Sequence, residues 1–593
     1  MTAGVTSPNA VKAVRRIADL PFLAEQAYGD AVAWRFKQHG EWHRQTYAEV
    51  SEQVLDLASG FVHAGLSSGD RVCVLAGTRH EWVAVELAVL AAGGIVVPIY
   101  PSSTAEEVAW VVGNSGASIV VAEDEAQCVK VDVVRDGLPE LRAVYTIEPA
   151  GDRPTVADLR DTGRTSPLAA ELDARRAAVK PDDPSLIIYT SGTTGPPKGC
   201  VLTSANWVTL CRLAEETRID AMQGTVYLFL PLAHVFAQIV MFGTMYRGGE
   251  LAFYGGDMKA VVPELAEVKP TFLPSVPRIF EKIYTFVTGA VDPAQLSQAV
   301  TLGLEVRRRK AAGEPVPAEM AAAFDQVDAL FANVRAVFGG RLQQALSGAA
   351  PISPEVLQFF HAAGVPVLEG YGMTESTAVG TINTLESFKL GSVGATGVAG
   401  LEMKLGEDGE LLMRGPHVFG GYWRDPEATA ETIRDGWLHT GDLGEIDADG
   451  FVTITGRKKD IIITAGGKNI APANVENVLR QSRWISHAVL YGDRKPFCVA
   501  LITLDADEIA AWATSRGLPS DVESLVGHPD VRALVQEVVD EANSHFASVS
   551  QVKKFVLLAR DLSQEVGELT PTLKVKRGVV HRLHAELYEG LYV

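Results

Sequence analysis

Residues 71 to 122 alternate between two hydrophobic periods. Strand-like runs at 71–76 (RVCVLA), 95–98 (IVVP) and 118–122 (SIVVA) are separated by helical patterns at 81–92 and 105–113. Strand and helix periods that alternate through short loops signal a parallel α/β sheet. The alternation resumes further on. Ser204 is placed to cap a helix whose apolar face is Trp207, Leu210, Cys211 and Ala214. Ser353 and Pro354 open another helix, which carries Val356, Phe359 and Phe360 and stops at Gly364, and 365–368 follows as a strand. Two α/β units are expected before residue 385. A chain of 593 residues is too long for one core, so further units must follow.

The run at 189–199, YTSGTTGPPKG, follows the apolar residues Leu186, Ile187 and Ile188. Small hydroxyl side chains and unhindered backbone N–H groups wrap phosphate oxygens, and glycine lets the chain approach closely. Thr190, Ser191, Gly192, Thr193, Thr194 and Gly195 supply those groups, and Lys198 adds a positive charge. The spacing is not that of a Walker A loop, because Pro197 precedes Lys198 and Gly199 follows it where Ser or Thr would be needed.

The net charge of −20 argues against a duplex nucleic-acid partner, which would demand a basic face. Five scattered cysteines form neither a paired framework nor a metal-ligand spacing, as expected of reduced thiols in a cytoplasmic protein. Residues 1–20 contain no continuous apolar segment of the kind a secretory signal needs. Residues 226–246 lack Asp, Glu, Lys and Arg over a length that spans a bilayer. Pro231, His234 and Gln238 oppose that reading, and a buried strand turning into a core helix is expected instead.

The region 293–340 is Ala-rich and charged and reads as an inserted helical hairpin. Its RRRK run at 307–310 is expected to be a solvated helix face, with peripheral contact to the inner face of a membrane as the alternative. Short, turn-rich strands from 391 to 454 indicate a small β-subdomain with a hairpin turn at 447–450 (DADG), which lacks the remaining ligands of a calcium loop. A smaller α+β unit follows.

The run GYGMTE at 370–375 follows a predicted strand, the end of a parallel sheet at which α/β folds place ligands. Tyr371, next to Gly372, offers a flat face to a purine, Thr374 a hydroxyl to a phosphate, and Glu375 a hard oxygen for Mg²⁺. Gly348 and Ala349, in LSGAA at 346–350, offer a wall free of large side chains for the other purine face.

These runs, together with TGD at 440–442 and GRKKD at 456–460, resemble the ordered motifs of the adenylate-forming enzymes, which include acyl-CoA synthetases, luciferases and peptide-synthetase adenylation domains. The resemblance covers nearly the whole chain and is strongest to bacterial long-chain fatty acyl-CoA synthetases. It implies a large N-terminal domain (1–455) of two parallel α/β subdomains and a β-subdomain, then a mobile α+β domain (456–593). It implies ATP and Mg²⁺ as requirements, a fatty acid and coenzyme A as substrates, and acyl-adenylate as intermediate. By the same resemblance Asp442 binds the ribose with Arg457 in support, Lys459 is the hinge, and Lys574 reaches the α-phosphate during adenylation. Lys576 competes for that last assignment. Gly466 and Gly467 would border the pantetheine tunnel with Lys468 near the CoA phosphates, and His234 would stand beside the substrate carboxylate. Phe236 and the segment holding Val276 and Arg278 are candidate acyl-pocket walls. Ser204 stands where many relatives carry histidine, and Lys574 sits in Leu-Lys-Val, a context that, with the insertion, resembles the long-chain branch. The nearest alternative function hands the acyl group to a carrier-protein thiol or another acceptor. Chain-length preference and oligomeric state are not specified by these residues.

Overall fold

The computed structural model describes residues 9–190, 196–289, 291–570 and 572–593. Two largely parallel sheets form the large body. In the first, strands Ala143–Thr146, Ile119–Ala122, Arg71–Leu75, Ile95–Ile99 and Pro184–Thr190 lie in that order, and Lys198–Thr203 closes one edge antiparallel. In the second, Val367–Tyr371, Gln344–Ser347, Phe272–Ser275, Thr225–Leu228, Glu250–Phe253 and Val32–Gln38 run parallel, flanked by the antiparallel edge strands Thr381–Ile382 and Glu41–Thr46.

Helix His80–Ala91 carries apolar residues on every face apart from Glu86, and every residue from Trp82 to Ala91 is buried. A helix of that kind has no face for water and must lie inside. It shares one core with Val74, Val96 and Leu186 of the first sheet and with Trp34, Leu228 and Leu251 of the second. The expected strand–helix order from 71 to 122 is thus observed, with boundaries shifted by one or two residues.

Several local expectations change. Thr203, not Ser204, caps helix Ser204–Glu216, through a reciprocal pair of bonds with Asn206. The Ser204 hydroxyl is buried and accepts the Ile17 N–H at 2.8 Å. The apolar stretch 226–246 divides into strand Thr225–Leu228 and helix Val235–Arg247. No helix among the described residues is long and apolar enough to cross a membrane.

The insertion folds as helices Pro293–Ala311 and Ala318–Val337. Its basic run is not simply solvated. Arg307 Nε donates to Ala362 O at 2.7 Å and Arg335 Nη1 to Ala363 O at 2.9 Å. Both cations therefore sit at the C-terminus of helix Pro354–Ala363, where the helix dipole is negative. Arg308 and Arg309 are held by Glu305 on the same helix.

The β-subdomain contains strands Glu402–Leu405, Glu410–Arg414, Ile433–Arg434, Trp437–Ile446 and Val452–Arg457. Asp447 Oδ1 accepts the N–H groups of Asp449 and Phe451 and shapes the expected turn. The small domain has its own core around strands Ile485–Tyr491, Cys498–Leu504 and Val552–Leu557 and helices Pro472–Arg480 and Pro529–Ser544.

Candidate active site

A cavity of about 1090 Å³ lies between the large body and the small domain. Its large-body wall is built on strand ends. Tyr371 terminates strand Val367–Tyr371, and its hydroxyl donates to Asp442 Oδ2 at 2.6 Å. Asp442 and Arg457 are cross-strand partners in the antiparallel pair Trp437–Ile446 and Val452–Arg457, which sets Arg457 Nε 2.9 Å from Asp442 Oδ1. Strand register thus places the acid, its cation and the aromatic ring together.

Thr374 and Glu375 open a buried turn immediately after that strand. Burial raises the Glu375 carboxyl above its ordinary range, and the Tyr422 hydroxyl, donating to Oε1 at 2.7 Å, opposes the shift. The Lys198 ammonium lies 5.1 Å from the centre of the Tyr422 ring. Lys198 pairs in register with Thr190 across the strands Pro184–Thr190 and Lys198–Thr203. Ser191, Gly192, Thr193, Thr194 and Gly195, which join these strands, lie outside the described residues.

Gly348 and Ala349 line the cavity after strand Gln344–Ser347. Gly372 also lines it, but its lack of a side chain has another cause. A Cβ there would stand 2.0 Å from Ala378 O, so glycine is required by the turn behind it.

His234 caps helix Val235–Arg247, its Nδ1 accepting the Phe236 N–H at 3.2 Å. That bond puts the proton of the neutral ring on Nε2. Burial first, and the Lys574 charge second, lower His234 to about 3. Lys574 reaches the cleft from the small domain, and burial followed by the nearby Arg457 charge lowers its ammonium, while Asp442 and Glu375 oppose them. Lys576, the competing lysine, lies 3.8 Å from Glu107 and, unlike Lys574, is not among the residues that line the cavity.

The cavity lining also includes apolar side chains: Leu210 and Leu213 of helix Ser204–Glu216, packed against Ile239 of helix Val235–Arg247, and Phe236, Met222 and Phe272. The sequence presents Leu210 only as part of an apolar helix face, and such a face looks the same whether it meets other side chains or a cavity. Tyr422 and the cavity-lining Glu369 carried no sequence signal of their own. Burial raises Glu369 to about 7.

Other expected residues lie elsewhere. Val276 packs on the main core and Arg278 forms a 3.0 Å ion pair with Asp505 of the small domain. Neither is among the residues that line the cavity. Gly466, Gly467 and Lys468 are exposed in a turn of the small domain away from the cavity wall. Lys459 is exposed in the segment between strand Val452–Arg457 and the small domain and borders the cavity.

Residues 23–423 match the family described as AMP-binding enzyme, and residues 459–593 match the AMP-binding enzyme C-terminal domain. This chain belongs to the AMP-binding enzyme family. It is 38% identical over 600 residues to the long-chain-fatty-acid–CoA ligase FadD15 of Mycobacterium bovis, across 99% of each chain. It is 35% identical to the long-chain-fatty-acid–CoA ligase ACSBG2 of Xenopus laevis, over 95% of this chain and 82% of that one. Its fold is similar to that of the anthranilate CoA ligase AuaEII in complex with anthranoyl-AMP, with a TM-score of 0.74 at 19% identity, covering 98% of this chain and 100% of that one.

Among the described residues no group of three or more His, Cys, Asp and Glu forms a metal site. Mg²⁺ usually keeps several waters and binds one or two carboxylates together with substrate phosphates. Glu375, with Oε1 engaged by Tyr422 and a second oxygen remaining, fits such a single-carboxylate role.

Proposed function

We propose that this protein is an AMP-forming long-chain fatty acid:CoA ligase working in two half-reactions. In the first, a fatty-acid carboxylate oxygen attacks the α-phosphorus of ATP, and pyrophosphate leaves. In the second, the CoA thiol attacks the carbonyl of the mixed anhydride, the thioester forms, and AMP leaves. The observation that carries the reading is that Lys574 of the small domain lines one cavity with Asp442, Glu375 and His234 of the large body and with apolar side chains.

Two anions must approach each other, so positioning and charge neutralisation dominate the first step. Lys574 is placed between them. Asp442, steadied by Arg457 and Tyr371, accepts the ribose hydroxyls, and Thr374 meets the α-phosphate. Mg²⁺ bound through Glu375 would supply charge neutralisation on the triphosphate. Neutral His234 donates from Nε2 toward the substrate carboxylate. The alkyl chain lies against the apolar part of the lining, whose aliphatic and aromatic side chains suit a fatty substrate.

Lysine and thiol cannot share one approach, and a swing of the small domain at Lys459 resolves the conflict. The swing would bring Gly466, Gly467 and Lys468 to the cleft for CoA. Five buried cysteines without disulfide bonds support a cytoplasmic location. Full-length similarity to CoA ligases favours CoA over a carrier protein as acceptor.

The test measures pyrophosphate release across a ladder of fatty acids, with CoA as sole acceptor. Long chains should give the highest kcat/KM and stoichiometric acyl-CoA. Adenylate accumulating without thioester would defeat the assignment of the acceptor, and no fatty-acid-dependent pyrophosphate would defeat the adenylation itself.

A further inference from the structure

Lys574 stands on a segment with almost no regular structure. Between 558 and 576 the described residues contain neither helix nor extended strand, only the isolated bridge between Leu569 and Val575. Within that bridge Thr570 N–H donates to Lys574 O at 2.8 Å, and Lys574 N–H donates to Thr570 Oγ1 at 3.0 Å. Leu573 adopts a left-handed backbone, φ +59, where a non-glycine residue persists only if its surroundings hold it. The result is a short finger whose returning limb carries Lys574, held to Thr570 beside the bridge.

The base of that finger is Glu568. Its carboxylate is 0% exposed and accepts four hydrogen bonds. Arg560 Nη1 and Nη2 donate at 2.6 and 2.8 Å, His584 Nε2 lies at 2.7 Å, and Ser563 N–H donates at 3.0 Å. Its main-chain carbonyl takes the Lys576 N–H at 2.8 Å, closing the far side of the finger. Burial alone would raise this acid, yet the Arg560 and His584 bonds hold it down at about 2. One charged side chain therefore joins the segment before the finger, the finger itself and the C-terminal helices. Upstream, Asp561 ties the same segment to the sheet by accepting from Ser486, Thr503 and Leu562 N–H, with His487 Nδ1 at 2.8 Å.

We propose that Glu568 is a positioning residue for adenylation, fixing the finger so that Lys574 meets the reacting phosphate and carboxylate. It touches no substrate and acts only through Lys574. The proposal rests on the two-step reading above.

The experiment compares wild type, Glu568→Gln and Arg560→Met in two assays on the same preparations. One follows fatty-acid-dependent pyrophosphate release, and the other the conversion of supplied acyl-adenylate and CoA to acyl-CoA. Misplacing a catalytic group by 1 Å costs ~10²-fold. Glu568→Gln should therefore lower kcat for pyrophosphate release by ~30–100-fold, with KM for ATP and fatty acid and the thioester step changed by less than ~3-fold. Arg560→Met should act in the same direction by a smaller factor, and it carries the test if Glu568→Gln does not fold. In single-turnover assays on a Lys574→Ala background, Glu568→Gln should cost nothing further. Equal loss of both half-reactions in folded variants, or an undiminished effect without Lys574, would overturn the proposal. A wild type inactive toward fatty acids would instead break the two-step reading before any variant is compared.

Discussion

On the large body, Asp442 meets Arg457 because two antiparallel strands put them in register, and Tyr371 joins them from the end of a parallel strand. On the small domain, Lys574 is aimed by a finger without strand or helix, clamped at its base by a buried acid. One wall of the cleft takes its precision from repeated backbone pairing, which resists displacement at every rung. The other takes it from a few charge-assisted bonds, strong individually but dependent on every partner being present. Two ion pairs, Arg278 with Asp505 at 3.0 Å and Lys576 with Glu107 at 3.8 Å, cross between the walls. On the proposed two-step reading, the small-domain wall moves away between steps while the strand-built wall keeps the nucleotide.

That contrast can be broken most forcefully at Lys574. Lys574→Ala should reduce pyrophosphate release by ~10²–10³ while supplied acyl-adenylate and CoA still give thioester at near wild-type rate. Equal loss of both steps would mean that the small domain does not exchange roles. Asp442→Ala should behave in the opposite manner. On the proposed reading the nucleotide is held through both steps, so kcat/KM for each should fall by ~30-fold or more, as expected for loss of charge-assisted hydrogen bonds. Sparing of the thioester step would contradict a fixed nucleotide wall.

The pH dependence sharpens the comparison further. Lys574 is lowered from 10.5 by burial, then by Arg457, so its proton is lost at a lower pH than that of an ordinary lysine. Adenylation should decline as pH rises through that lowered value, and the thioester step should lack this limb. Lys574→Arg should remove the limb. His234, at about 3, stays neutral above pH 5 and should add no inflection between pH 5 and 8.

The smallest effect is expected at the tether. Arg278 is 32% exposed in its pair with Asp505, and such partly solvated bridges contribute at most about 1 kcal/mol. Arg278→Ala should shift the ratio of the two half-reaction rates by no more than ~5-fold, toward the thioester step. A shift of several orders of magnitude would show that the tether, rather than the finger, governs access to the cleft.

The alternation from 71 to 122, the hairpin insertion and the β-subdomain were legible because burial repeats with the period of each element and leaves that period in the chain. Gly364 ends its helix as read, with φ +81. Thr203 took the cap from Ser204 because Asn206 reciprocates its bonds and because the buried Ser204 hydroxyl serves Ile17, a contact across 187 residues. Arg278 read as a pocket residue for the same kind of reason, since its partner Asp505 lies 227 positions away.

The amino-acid order by itself settled the layered α/β body and the smaller C-terminal unit, since periodic burial and loop composition are local properties. Only the folded chain decided which partners surround Lys574 and Glu568, and which apolar core faces also line a cavity. Those choices are made by polar and steric contacts between residues far apart in sequence, and such contacts impose no period on the chain.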